Sequence, residues 1–310
     1  MPLDKAKLAF RNVTLFSLFW ALQILVSKMG FSAGAKAIPF TLQSAAVALV
    51  FLSLLVIPKH YKEILALPKK ILWSLLLANA INFGLGGFFN NIGVALTSAI
   101  NAGFLSKFAL VTTIIFAWLF LKEKLSVIKI LAAAIMIGGS YLISTKGQVI
   151  VPQSGDLLVL LACAFFSLGN VLVRKTLRDE QVSGDVVSFL RPIAGIPVLL
   201  LFVWLAPLYP APIQSVFVAN YFDLRFYPYV IGSGIFTALL WLFLNRTLQV
   251  ATASYMTMMS MMTPIIVTIL AIMLLGEQIA PIQIYGGLLI IFAGIITHYS
   301  ESHLATAKHK

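Results

Sequence analysis

Ten long apolar stretches, spread over the whole chain, constrain the fold more than any other feature of this sequence. They lie at residues 12–29, 38–57, 71–91, 98–121, 126–144, 156–174, 186–206, 228–246, 252–275 and 281–299. Each has roughly the 20 residues that an α-helix needs to cross about 30 Å of hydrocarbon. Lipid cannot satisfy exposed backbone amides, so only helices and closed barrels span a bilayer. The stretches lack the alternation of barrel strands. The sequence therefore predicts an all-α integral membrane protein with ten transmembrane helices.

The composition excludes a soluble protein. Hydrophobic residues make up 60% of the 310 residues and charged residues only 10%, whereas soluble domains carry about 25% charged residues. A chain this apolar cannot cover its surface in water, so the lipid bilayer is its predicted partner.

The net charge of +12 does not predict a nucleic-acid partner, because the basic residues are sorted by membrane side. With the N-terminus inside, sixteen of the 22 Lys and Arg fall on the cytoplasmic side and four on the other. This is the positive-inside distribution. We predict a multi-pass protein of the plasma (inner) membrane with both termini in the cytoplasm.

The first apolar stretch has features of a signal peptide, since basic residues precede it and the small residues 33–35 follow it. We nevertheless expect it to be retained, because it has a partner later in the chain. WALQILVSK at 20–28 aligns with SLGNVLVRK at 167–175, which places Gln23 over Asn170.

The chain also repeats itself over a longer range. A shift of 154 positions aligns residues 88–144 with 242–298 without a gap and gives eleven identities. The most informative pairs are Asn91 with Asn245 and Glu123 with Glu277. Each half holds five spans, an odd number, so the second half must enter the membrane from the opposite side. We predict a 5+5 inverted-topology repeat, with residues 1–147 and 148–310 as its halves, an architecture typical of secondary transporters.

With these features the chain resembles EamA-type members of the drug/metabolite transporter superfamily. Besides the ten spans, the resemblance rests on Leu121 with Glu123, Leu275 with Glu277, Pro264, Gly286, Gly287 and Gly294. It implies a carrier of small metabolites, in a family that handles amino acids, nucleotide sugars, phosphorylated sugars and drugs. It also implies that spans 1–4 and 6–9 surround a central cavity, with spans 5 and 10 at the periphery.

Two basic residues lie inside predicted spans, Lys107 in the fourth and Arg191 in the seventh. A charged side chain at a helix centre costs roughly 2.5–3.5 kcal/mol, and every Asp and Glu falls in a loop or near a span end. One interpretation is structural: Lys107 bonds backbone carbonyls or water, and Arg191 reaches the membrane interface. In the other, both supply positive charge for a substrate that is itself the counter-ion.

Polar amides and one methionine-rich face complete the predicted substrate site. Asn79 and Asn82 begin a polar stripe along the third span, and each amide either joins helices or lines a cavity. The other candidates are Gln23, Asn170, Gln43, Tyr255 and Met258. Tyr255, Met258, Met259 and Met262 share a face at helical spacing, which favours either an adaptable substrate wall or ordinary packing. We expect Glu123 and Glu277 to cap the helices that follow them.

No motif of an enzyme, metal site, nucleotide motor or other cofactor occurs in the sequence. The sequence predicts a non-enzymatic, cofactor-free carrier with a small-molecule substrate. The leading substrate class is an anionic or zwitterionic metabolite, such as an amino acid, organic acid or phosphorylated compound. Polyspecific drug efflux, a channel and a non-transporting scaffold are the alternatives, and a homodimer stays open.

Overall fold

The computed structural model describes residues 3–97, 104–179, 182–209, 214, 223–275 and 279–306. Within these residues the secondary structure is helical, without a β-strand. Nine of the described helices are long and apolar enough to cross a membrane, and a tenth, shorter apolar helix covers Ser106–Leu121. The predicted ten-helix fold is confirmed.

The first half supplies five membrane helices. Helix α1 is Leu3–Ser32 and α2 is Ala37–Ala66. Helix α3 joins three segments, which are Lys69–Asn79, the π-helical Ala80–Gly86, and Gly87–Ala95. Helix α4 consists of a 3-10 turn, Ser106–Phe108, and Ala109–Leu121. Helix α5 is Val127–Thr145.

The second half supplies the other five. Helix α6 is Asp156–Asp179 and α7 is Gly184–Trp204, followed by the 3-10 turn Ala206–Leu208. Helix α8 joins Leu224–Phe226 to Tyr227–Val250. Helix α9 joins Ala253–Met259, the 3-10 turn Ser260–Met262, and Thr263–Leu275. Helix α10 is Pro281–Thr306.

Several helices extend beyond their apolar stretches. Helix α1 begins at Leu3 and α2 continues through Pro58 to Ala66. The extensions carry exposed charged side chains, among them Lys5 and Lys62. A helix satisfies its own backbone amides, so it need not end where the hydrocarbon ends.

Packing contacts recur between the halves as a two-fold relation requires. Exchanging the halves turns the contact of α1 with α8 into that of α6 with α3, and both contacts are present. In the same way, the contact of α2 with α8 corresponds to that of α7 with α3, and the contact of α1 with α9 corresponds to that of α6 with α4. The pairs α2–α7, α4–α9 and α5–α10 also pack, and each maps onto itself when the halves are exchanged. Two antiparallel halves therefore interlock around an axis between them.

Successive helices run in opposite directions, so helix ends collect at two faces. Helices α2, α4, α6 and α8 end at one of them, where α1, α3, α5, α7 and α9 begin. This face, here called the basic face, carries Lys62, Lys122, Lys124, Lys175 and Arg246. Between the faces, large apolar side chains such as Leu54 and Met273 point outward with 70% and 73% exposure, as a lipid-facing surface requires.

Candidate functional site

The Lys107 side chain lies against α1, and its helix α4 packs on α6. Its Nζ is 5.6 Å from the centroid of the Trp20 ring, within cation–π distance. The adjoining α4 backbone contacts α6, because the Cys163 thiol donates to the carbonyls of Leu105 and Ser106 at 3.5 and 3.6 Å. Lys107 is half-buried, and no carboxylate among the described residues forms an ion pair with it.

A cluster of hydroxyl groups follows Lys107 along α4. The Ser167 hydroxyl, midway along α6, lies 2.7 Å from the Thr112 hydroxyl and accepts from Thr113 at 2.9 Å. It also donates to the carbonyl of Ala109 at 2.9 Å. Thr257 of α9 donates to Thr113 at 3.4 Å. Helices α4, α6 and α9 are therefore linked by hydrogen bonds between hydroxyl groups.

Arg191 is the centre of a second polar cluster, formed by α3, α6 and α7. Its Nη1 donates to Asn82 Oδ1 and its Nη2 to Asn170 Oδ1, both at 3.1 Å. Asn82 in turn donates to Asn170 Oδ1 at 3.1 Å, and the guanidinium lies 5.9 Å from the Trp241 ring centroid. Arg191 is only 3% exposed, so the interpretation in which it reaches the membrane interface is wrong.

Two local features bring α3 and α6 together at this cluster. The π-helical segment Ala80–Gly86 interrupts the α-helical register of α3, and such bulges frequently occur at functional sites. A Cβ atom on Gly169 would lie 2.4 Å from Asn82 Cβ and 2.6 Å from the carbonyl of Ala78. A glycine at this position therefore permits the close approach that brings Asn82 to Asn170.

Some buried polar groups near Arg191 form no hydrogen bond among the described residues. Arg191 Nε and both side-chain polar atoms of Asn79 are buried and have no hydrogen-bond partner among the described residues. Leaving such a group unsatisfied costs about 1–3 kcal/mol, so unpaired buried groups in native structures require an explanation. They are candidates for contact with water or with a polar ligand.

The two cations lie at different depths. Cys163 marks the level of the Lys107 backbone on α6, and Asn170 marks the level of Arg191. The two residues are seven positions apart, which corresponds to about 10 Å along the helix axis. Arg191 is on the side of the basic face and Lys107 on the side of the opposite face. Each half contributes one cation, at non-equivalent positions.

The predicted amides divide between separate interfaces. The structure brings Asn82 and Asn170 together at Arg191, whereas Gln23 donates to the hydroxyls of Ser27 and Ser233 at 3.0 and 3.4 Å. Those hydroxyls lie between α1 and α8, the interface equivalent to that between α6 and α3. Gln43 is half-buried in α2.

The methionine-rich face is divided between two packing clusters. Met258 is fully buried among Leu110, Met136, Met261 and Ile290. Met259 and Met262 pack in another cluster, which includes Trp241. Tyr255 is 1% exposed, with its hydroxyl 2.9 Å from His298 Nδ1. Ordinary helix packing accounts for these positions in the structure.

The prediction that Glu123 caps the helix after it is wrong. Helix α5 is capped instead by Ser126, whose hydroxyl accepts a backbone N–H of the first turn at 3.2 Å. The Glu123 carboxylate accepts from Ala253 N at 2.9 Å and from Ser254 Oγ at 2.6 Å, both at the start of α9. Its repeat partner Glu277 lies outside the described residues.

Sequence reasoning missed the two tryptophans and the hydroxyl cluster. Trp20 and Trp241 lie well inside their helices, away from the interfacial positions where tryptophan is most common. This placement could have indicated that they contact the buried cations. The positions of Thr112, Thr113 and Ser167 gave none, because isolated hydroxyls are ordinary in membrane helices.

The assembled groups suit binding rather than bond making. Two cations, two amides and a hydroxyl cluster can orient a charged solute. Among the described residues, no group of three or more His, Cys, Asp or Glu is placed to hold a metal ion.

Comparisons with known proteins agree with this architecture. The model of the EamA-like transporter family matches twice, at residues 12–145 and 153–299. One crystal structure, described only as that of a protein, superposes with a TM-score of 0.76 at 15% sequence identity. The match covers 96% of this chain and 98% of the other chain. No curated protein matches the chain in sequence.

Proposed function

This chain belongs to the EamA-like transporter family and is therefore a multi-pass membrane transporter, and on that premise we propose that it is an alternating-access carrier. Its substrate is a small anionic or zwitterionic metabolite, such as an amino acid, an organic acid or a phosphorylated compound. The substrate binds between the halves, near the midplane, as in other carriers built from inverted repeats.

The single observation that supports this substrate class is the position of Lys107. Its ammonium group is half-buried and lies against an aromatic ring, with no ion-pair partner among the described residues. A charge within a membrane helix costs roughly 2.5–3.5 kcal/mol on insertion scales. A substrate carboxylate or phosphate would offset that cost while bound, which makes the substrate the missing counter-ion.

Arg191 supplies a second, fixed positive charge, nearer the basic face than Lys107. Its two amide partners and Trp241 hold the guanidinium in one orientation. Lys107 is the more exposed of the two cations, so it is the one that we expect to contact the substrate. The buried amide of Asn79, which has no hydrogen-bond partner among the described residues, is the candidate for contact with polar groups on the substrate.

We further propose that the transporter resides in the plasma membrane with its basic face in the cytoplasm. The support is the excess of Lys and Arg at that face, which follows the positive-inside rule. Both chain ends would then be cytoplasmic.

The test measures thermal unfolding of the purified protein in the presence of matched pairs of ligands. In each pair, one ligand is a carboxylate or a phosphate ester and the other is the corresponding neutral amide or alcohol. A ligand at a hundred times its Kd stabilises the folded state by about 2.7 kcal/mol. We expect charged members to raise Tm in the wild type but not in Lys107→Gln. Lys107→Arg should retain part of the shift.

Lys175→Gln is the matched control, because it removes an exposed lysine at the basic face and should leave the response unchanged. Equal shifts from charged and neutral members of every pair, or an unaltered response in Lys107→Gln, would contradict the proposed substrate class.

A further inference from the structure

Two glutamates of the first half make the same kind of contact with the second half at the basic face. Each carboxylate accepts backbone N–H groups at the start of a second-half helix. Glu63, one turn before the end of α2, accepts from Ser183 N at 2.6 Å. Glu123, just after α4, accepts from Ala253 N at 2.9 Å and from Ser254 N at 3.4 Å.

In each of these contacts, a glutamate of the first half helps to cap the N-terminus of a helix of the second half. The first backbone N–H groups of a helix have no partner within the helix. Ser183 and Thr252 are the N-cap residues of α7 and α9, and each hydroxyl accepts one N–H of its own first turn. In a capping box, a glutamate of the same helix accepts the N-cap N–H. Here Glu63 accepts the N-cap N–H of Ser183 from the other half of the protein.

The Glu123 contact depends on how α4 ends. Lys122 adopts a left-handed conformation with φ 54°, and the backbone N–H of Glu123 bonds to the carbonyl of Ala117 at 3.2 Å. This turn directs the Glu123 side chain towards α9. Arg178 of α6 strengthens the junction, since it donates to the carbonyl of Leu121 at 3.1 Å.

Neighbouring charged groups support the Glu63 contact. His60 Nδ1 lies 2.7 Å from Glu63 Oε2 and its Nε2 lies 3.8 Å from Asp185 Oδ2. Asp185, in the first turn of α7, binds Arg246 of α8 at 2.6 and 2.7 Å. The end of α2 is thus linked to the start of α7 and, through Asp185, to the end of α8.

The two glutamates lie on two of the three helix pairs that map onto themselves under the repeat, α2–α7 and α4–α9. In each pair a first-half helix ends where its second-half partner begins. Separation of these ends is the movement that would open the basic face.

We propose that Glu63 and Glu123 are gating residues, which hold the basic face closed in this state and must release their helix N-termini before the substrate path can open there. The proposal rests on the alternating access proposed above. It assigns these residues to the conformational step and not to substrate contact.

The test measures the distance between the halves at the basic face without any substrate. Spin labels are placed on Lys62→Cys and Lys175→Cys, two exposed positions in different halves, after Cys163, the only cysteine, is replaced by Ala. Pulsed electron paramagnetic resonance then gives the distance distribution in lipid nanodiscs. The variants are Glu63→Gln, Glu123→Gln and the double substitution.

We expect the double variant to populate a second, longer distance. The ratio of open to closed protein should rise about tenfold or more for each carboxylate lost, as hydrogen bonds to charged groups predict. Asp4→Asn is the matched control, because Asp4 is an exposed carboxylate in the first turn of α1, at the same face. It should leave the distribution unchanged.

A second variant keeps the test decisive if the double variant does not fold. Ser254→Ala removes the donor that lies 2.6 Å from Glu123 and keeps every charge, so a smaller shift in the same direction is expected. A folded double variant with the wild-type distribution overturns the proposal, and so does a distribution unchanged in both Ser254→Ala and Glu123→Gln.

Lys107→Gln, measured in the same way, separates this inference from the proposed substrate class. If the gating proposal is correct, Lys107→Gln retains the closed distance whether or not it still responds to anions.

Discussion

At the scale of single residues, Arg191 shows how a buried charge is accommodated in this membrane protein. Its planar guanidinium reaches two amide oxygens at once, Asn82 Oδ1 and Asn170 Oδ1, and lies near the Trp241 ring. Lysine has a single ammonium group and cannot reproduce this fork. The arrangement depends on the shape of the side chain as well as on its charge.

Arg191→Lys should therefore destabilise the protein although it keeps the charge. At least one of the two hydrogen bonds from the cation to a buried amide oxygen would be lost, at a cost of about 1.5–3 kcal/mol. Denaturation in detergent would measure the change. Arg11→Lys, at an exposed arginine of α1, is the control and should have a small effect. Equal stability of the two variants would show that the fork around Arg191 contributes nothing.

At the scale of helices, the crossing of α5 and α10 depends on backbone contact. A Cβ atom on Gly139 would lie 2.6 Å from the carbonyl of Gly286, and one on Gly286 would lie 2.5 Å from the carbonyl of Gly139. A Cβ atom on the adjacent Gly138 would have no neighbour within 4 Å. Gly138 therefore faces open space, whereas the neighbouring Gly139 lies against the backbone of α10.

Gly139→Ala should destabilise the protein by about 1–3 kcal/mol, as overpacking of a tight interface does. Gly138→Ala should be neutral or stabilise by up to about 1 kcal/mol, because alanine favours the helix. Thermal unfolding of both variants checks the difference. Similar melting temperatures would contradict the close approach of α5 and α10.

Apolar length was enough to predict these helices, since the cost of an unsatisfied amide in lipid leaves few alternatives. Their irregularities were not predictable. The π-helical segment Ala80–Gly86 and the 3-10 turn Ser260–Met262 depend on contacts with other helices. The partner of Glu123 was missed for the same reason, because Ser254 is distant in sequence and belongs to the other half.

At the scale of the whole molecule, the two halves interlock through contacts that recur when the halves are exchanged. The repeat was predictable from the alignment of residues 88–144 with 242–298. The site was predictable only in part. The sequence predicted Lys107, Arg191, Asn82 and Asn170 as candidates, but their grouping depends on how α6 passes between α3 and α4.

The inverted repeat also predicts where reporters will be active. A fluorescent protein that folds only in the cytoplasm should fluoresce when fused after Lys310. The same protein fused after Gly147, between α5 and α6, should not fluoresce, and an exported phosphatase should be active there. Fluorescence from both fusions would contradict the opposite orientation of the halves.

The central claim is that the halves alternate around a site where Lys107 binds an anion. The most direct test is exchange in proteoliposomes, with the anion that gives the largest thermal shift used as the labelled solute. Preloading with unlabelled anion should accelerate uptake by the wild type, uptake should saturate, and Lys107→Gln should lose both effects. Flux that does not saturate, does not change with the preloaded anion and persists in Lys107→Gln would contradict alternating access around Lys107.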